Sequence, residues 1–240
     1  MAVLIGRDAP ISFSNPKAKV THAANVWDFF KPDHTVEYPT VDGSLSQECY
    51  YKALEDCYSR FANKMDSFSL EAGVNHKIEK KSSECQYFNA ETPDYFVFHA
   101  PYNKLVQKSY ARLFLLDARR EFQRKVLSSG NEHTKDCNEK NDLDEKLLED
   151  WLNVPIEDTH SDRELDGVLK KMSLSSYKSR LTDSNVASQK IGNTYTASVF
   201  LGIASLIDRA GRKGDLKPGK NIVIFSYGSG ALASMYMLQM

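Results

Sequence analysis

Residues 94–108 read D-Y-F-V-F-H-A-P-Y-N-K-L-V-Q-K, and no other stretch restricts the fold as tightly. An apolar, β-prone run ends on His99, and Pro101 opens a helical pattern reaching about residue 125. A short apolar run of this kind is a buried strand. Proline suits the first helical position, where its missing N–H is no loss. The junction therefore sets an imidazole at the end of a buried strand, beside a long helix. Lys104, Lys108 and Arg112 fall four apart and share one helix face, while Leu105, Val106, Leu113 and Leu116 share another that should pack on the sheet. Taken alone, a strand-end histidine is more often structural and a cationic helix face is usually just solvated. Their coincidence at one strand end, where ligands gather in open α/β sheets, suggests a site for a thioester carbonyl and the phosphates of a coenzyme.

The rest of the chain alternates strands with helices. Residues 2–5 and 10–13 read as short strands, and residues 14–40, with three prolines, as irregular chain. Asp42-Gly43 is a turn signal, and Ser44 or Ser46 can cap the helix that follows to about residue 68. Residues 69–92 and 128–146 are polar excursions, with short helices expected at 144–152 and 161–172. Residues 176–187 are mixed and suggest a strand, residues 194–210 a helix, and residues 220–225 a β-branched strand. The glycines at 228 and 230 break that strand, and residues 231–239 read as a returning strand or a helix. Such alternation indicates an α/β layered fold.

Three further segments carry polar groups. In I-G-N-T-Y-T, residues 191–196, Asn193 can cap a helix or hydrogen-bond a carbonyl. In F-S-Y-G-S-G, residues 225–230, a strand runs into a Gly-Ser-Gly turn that can serve as a tight hairpin or present Ser229 to a ligand. It is not a nucleophile elbow, because Tyr227 stands where the first glycine would be, which argues against an unrelated α/β hydrolase. In residues 21–33, His22 and Asp28 sit among aromatics, as they would in an active-site wall or a packed loop.

Composition narrows the partners. With 31 basic and 32 acidic residues the formal charge is −1, which argues for neither nucleic acid nor an anionic membrane. No apolar run reaches the roughly 18 residues of a membrane helix. The opening M-A-V-L-I-G-R-D-A-P has no basic n-region and reads as a buried strand that starts abruptly, as a truncated chain would, not a signal peptide. Cys49, Cys57, Cys85 and Cys137 form no C-x-x-C pair, so reduced thiols are expected and no metal site.

Five segments in order, G-R-D-A-P, D-F-F-K-P-D with E-Y-P-T-V-D-G-S-L-S, F-H-A-P-Y-N-K-L-V-Q-K, G-N-T-Y-T and F-S-Y-G-S-G, resemble hydroxymethylglutaryl-CoA synthase. The resemblance implies a thiolase-like layered αβαβα sandwich of two similar halves. The chain would cover the end of the first half, residues 1–12, and most of the second, residues 13–240. It implies condensation of acetyl-CoA with acetoacetyl-CoA to 3-hydroxy-3-methylglutaryl-CoA, in mevalonate and sterol biosynthesis, with no cofactor beyond these substrates. His99 would polarise the acetoacetyl group, Lys104 and Lys108 would meet CoA, and Ser46, Asn193 and Ser229 would contact substrate. His22, Asp28 and Tyr195 would belong to the surrounding wall. The family's cysteine nucleophile and glutamate base precede the G-R-D-A-P position, so this chain alone is expected to be inactive and to expose apolar surface. The alternative is a non-catalytic acyl-CoA-binding or interaction protein derived from such an enzyme. A homodimer in the full-length family and a cytoplasmic location, with a mitochondrial form as the other option, complete these expectations. Ala100 and Asn103 depart from the family's usual serine and cysteine.

Overall fold

The computed structural model of the chain describes residues 4–14, 17–31, 33–71, 87–128 and 139–240. Its centre is the strand expected after residue 94. This strand, β5 (Tyr95–Phe98), is buried along its whole length. It pairs in parallel with β6 (Asn221–Gly228), which turns back into β7 (Leu232–Gln239). The outer edge of β7 takes β1 (Ser12–Phe13) and β2 (Lys19–Ala23), both antiparallel. A separate small ribbon pairs β3 (Phe29–Phe30) with β4 (Thr40–Val41).

Period-2 alternation sends the side chains of β5 and β6 to two cores. Phe96, Phe98, Val223 and Phe225 meet α1 (Gly43–Glu71) and α2 (Asn103–Ser128) on one face. Tyr95, Val97, Ile222 and Ile224 meet α6 (Ser198–Lys213) on the other. The far side of α2 is covered in turn by α3 (Glu139–Leu152) and α4 (Arg163–Arg180), through Ala111, Leu115, Leu148, Leu165 and Leu169. Because α2 is enclosed on two sides, its apolar residues ring the helix more than they stripe it. Gly202 lets α6 lie directly on β5: a Cβ there would stand 2.7 Å from Val97 Cγ1. On the other side of α6, Phe200 and Ile207 remain exposed, in line with the exposed apolar surface expected of this chain.

Several sequence expectations are corrected. Residues 176–187 contain no strand; they belong to α4 and to α5 (Thr182–Ile191). The helical pattern is masked because, beside Tyr177 and Leu181, many of its buried positions are polar: Ser173, Ser176, Ser184, Asn185 and Ser188. Ser176, Ser184 and Asn185 find hydrogen-bond partners inside the fold. Ser184 Oγ donates to the Phe96 carbonyl at 2.7 Å, on the edge of β5 that no strand among the described residues covers. Within the nominally irregular residues 14–40 lies β2, a short strand whose partner is more than 200 residues away in sequence. The cap of α1 is Asp42, whose Oδ1 accepts from the Ser44 and Leu45 N–H groups at 3.0 Å each, and not a serine. Leu4 and Ile5 are exposed and lie outside any strand. Residues 231–239 resolve to a strand, β7. Much of the two polar excursions, with Cys85 and Cys137, lies outside the described residues.

Candidate active site

His99 leaves the sheet immediately after β5, its N–H donating to the Phe225 carbonyl at 2.8 Å. It opens on a cavity of about 450 Å³, a size suited to a small-molecule group. The other walls are Tyr195, Thr196 and Val199 at the start of α6, and residues 226–229 and 232–234 of the β6–β7 hairpin. Among the described residues no charged side chain lines it. Burial alone pushes the His99 imidazole down to about 4, so at neutral pH it is uncharged. A neutral imidazole offers one N–H donor and one lone pair. Burial, followed by the nearby Asp28 charge, raises the Tyr227 hydroxyl above the ordinary phenol range and keeps it protonated. The arrangement can therefore donate hydrogen bonds to a carbonyl oxygen from a half-buried imidazole in an open cleft.

The hairpin turn is held from behind. Asp28 is wholly buried, and its Oδ1 accepts from the Gly230 N–H at 3.0 Å while Tyr227 Oη donates to Oδ2 at 3.4 Å. The backbone of Ala24 and Val26 pairs with Ala231 and Gly230. Asp28 thus shapes the turn that presents Ser229 and does not itself line the cavity. His22 is further removed: its Nδ1 lies 2.9 Å from Asp56 Oδ2 on α1, an oxygen that also takes Arg60 Nη1.

Of the residues singled out from the sequence, the structure gathers His99, Tyr195 and Ser229 around one cavity. Tyr195 has a positive φ of 50°, and its N–H donates to Asn193 Oδ1 at 2.8 Å, so Asn193 caps this turn and not α6 itself. Ser46 sits half-buried in the first turns of α1, outside the lining. Lys104 is exposed in the first turn of α2. Lys108 is held by Asp166 of α4 at 2.6 Å, leaving it less free for a phosphate than its spacing suggests. Arg112, read as the third member of the cationic face, is 1% exposed and belongs to the core. Asn103 acts as a hub: its Oδ1 accepts from Asn185 and Gln189 of α5 and from Tyr177 Oη, which ties the start of α2 to α5.

Sequence reasoning passed over Thr196, Ser226, Tyr227 and Ser234 as lining groups. Ser226 and Ser234 face each other across the hairpin register, a pairing that no local pattern reveals. It also passed over two hydroxyls beside His99. Tyr50 Oη donates to the His99 carbonyl at 2.8 Å, and Ser198 Oγ accepts from the Ala100 N–H at 2.9 Å. Neither described cysteine offers a reactive thiolate. Burial raises Cys57 to about 12, and burial with the Asp28 and Glu48 charges raises Cys49. Among the described residues no cluster could hold a metal ion, and no helix is long and apolar enough to cross a membrane.

Residues 12–240 match the family model for the C-terminal part of hydroxymethylglutaryl-coenzyme A synthase. Hydroxymethylglutaryl-CoA synthase A of Dictyostelium discoideum is 36% identical over 98% of this chain and 41% of its own length. The mitochondrial enzyme of Bos taurus is 35% identical over 98% of the chain and 41% of its own, and the cytoplasmic enzyme of Homo sapiens 34% identical over 100% and 41%. The chain thus spans less than half the length of these relatives. Two solved structures share the fold. MvaS in complex with 3-hydroxy-3-methylglutaryl coenzyme A aligns at a TM-score of 0.59 and 23% identity, over 93% of this chain and 41% of that one. An HMG-CoA synthase complexed with CoA aligns at 0.53 and 20%, over 95% and 39%. The chain belongs to the hydroxymethylglutaryl-CoA synthase family and carries part of its thiolase-like α/β fold.

Proposed function

We propose that this chain supplies the acetoacetyl- and CoA-binding side of a hydroxymethylglutaryl-CoA synthase, the enzyme that condenses acetyl-CoA with acetoacetyl-CoA. The observation that carries this reading is an uncharged, half-buried imidazole, His99, in a cavity free of charged walls among the described residues. When a carbanion adds to the acetoacetyl ketone, negative charge develops on its oxygen. A pre-set N–H donor lowers the energy of that state more than that of the ground state. The His99 N–H is such a donor, and the Tyr195, Thr196 and Ser229 hydroxyls are near enough to orient the acyl chain. Lys104, exposed at the head of α2, meets the coenzyme phosphates, with Lys108 contributing once it yields Asp166. Relatives and neighbours named for HMG-CoA and CoA support this choice of ligand.

The family's covalent step needs a cysteine that accepts the acetyl group. Cys49 and Cys57 are buried thiols outside the cavity lining. Among the described residues this favours a second, narrower reading: the chain binds acyl-CoA without condensing it. Calorimetry with acetoacetyl-CoA tests the first reading. Saturable binding that is lost in His99→Ala and weakened in Lys104→Ala is expected, and absence of binding by the parent chain overturns it. Turnover of acetyl-CoA plus acetoacetyl-CoA by the chain alone would overturn the second. The same reading extends to a homodimer and a cytoplasmic location, which size-exclusion chromatography and cell fractionation would check.

A further inference from the structure

The peptide that joins His99 to Ala100 is gripped at both of its polar atoms by side chains. From α1, Tyr50 Oη donates to its carbonyl at 2.8 Å, and from the first residue of α6, Ser198 Oγ accepts from its N–H at 2.9 Å. These helices cover opposite faces of the sheet, so one peptide plane is held between two layers of the fold. Tyr50 and Ser198 are each only 1% exposed. The Tyr50 ring is itself wedged edge-on to Phe225 at 5.4 Å and tilted against Tyr227 at 5.1 Å. Beyond Phe98 the pairing with β6 ends, and a peptide leaving a sheet ordinarily turns its polar atoms to water or to a turn. Here two buried hydroxyls from distant elements meet them instead. Both hydroxyls lose hydration to do so, and the result is a fixed ψ at His99 and hence a fixed entry of its ring into the cavity.

We propose that Tyr50 and Ser198 are positioning residues, which together hold the His99–Ala100 peptide plane and so aim the imidazole at the bound acyl group. The affinity arm of the test rests on the acetoacetyl-CoA reading; the geometric claim does not. Nuclear magnetic resonance can follow the His99 ring through a pH titration in the full chain, assigned by its loss in His99→Gln. Burial pushes the parent ring down to about 4; Tyr195 and Tyr227 are the ionisable groups among its cavity neighbours, and burial with the Asp28 charge raises Tyr227 away from that range. Loosening the peptide admits water to the ring. Ser198→Ala and Tyr50→Phe therefore each raise the midpoint toward the ordinary 6.5. Each also weakens acetoacetyl-CoA about fivefold, the net worth of one hydrogen bond. The double variant loses less than the product of the two, because both hold the same plane. Ser198→Thr keeps the hydroxyl and restores both readouts. An unmoved midpoint in folded Ser198→Ala overturns the proposal; if Tyr50→Phe does not fold, the Ser198 pair decides alone. A parent chain that fails to bind acetoacetyl-CoA removes the substrate reading, and the titration still judges the positioning. A parent that binds, with variants unchanged in both readouts, removes the positioning and keeps the substrate reading.

Discussion

The interior beneath α2 and the cavity at the end of β5 each bury a histidine, and they treat it in opposite ways. His160 Nε2 lies 3.0 Å from Glu55 Oε2, and Glu55 also takes Arg112 Nε at 2.7 Å. Arg112 completes its donors on the Thr159 hydroxyl and carbonyl, with its guanidinium 5.1 Å from the Tyr51 ring centroid. That region sets charge against charge and joins α1, α2 and the turn before α4. Among the described residues His99 has no charged neighbour, and its ring is left to a cavity. The lesson is that hydrogen-bonding capacity committed within the fold marks structure, whereas capacity held back in a half-buried cleft marks a site.

The sharpest way to break the contrast is Arg112→Ala. It leaves the Glu55 carboxylate, whose side chain is 7% exposed, with His160 as its remaining partner, and should cost about 3 kcal/mol of unfolding free energy in a denaturant titration. His99→Gln, by contrast, should leave stability at neutral pH nearly unchanged while abolishing acetoacetyl-CoA binding. Gly202→Ala comes next. Its Cβ meets Val97 Cγ1 at 2.7 Å, on the helix that brings Val199 to the cavity. A loss of about 1–3 kcal/mol is expected as α6 is pushed from the sheet. Unchanged melting would show that the helix shifts freely.

Acid sharpens the contrast at His99. Its folded pKa lies below the ordinary value, so between 6.5 and about 4 the unfolded chain binds the proton first. Stability contributed by the neutral ring is complete above that window and is lost as pH falls through it. Comparing melting temperatures across the window in the parent and in His99→Gln should show a flatter profile in the variant. The smallest effect is on α2's outer face. Lys108→Ala removes a pair whose lysine side chain is 43% exposed, worth less than about 1 kcal/mol. Lys104→Ala should leave the melt unmoved and reduce CoA affinity, most visibly at low salt.

The α/β class, β5, the approximate extent of α2 and the break after β6 were legible because each is a local pattern: an apolar run, a proline two residues ahead of the helix, a glycine-broken strand. The helices across 163–191 were partly hidden, since their buried faces use serine and asparagine, which hydrogen-bond in place of making apolar contacts. His99, Tyr195 and Ser229 were identifiable as polar groups at element ends. That Asp28 and His22 serve the backbone and α1, and do not line the cavity, was not identifiable, because their partners are 202 and 34 residues away.

The sequence by itself determined the strand–histidine–proline–helix junction and the family, since residue order and spacing carry both. Only the tertiary structure decided what the four-residue ladder of cations means. α4 and the turn at Thr159 cover the second and third rungs, so Lys108 becomes an ion pair, Arg112 becomes core, and Lys104 alone stays open. Helical periodicity places side chains on a face. What packs against that face sets the local dielectric and the available partners, and those decide whether a charge waits for a ligand or holds the fold together.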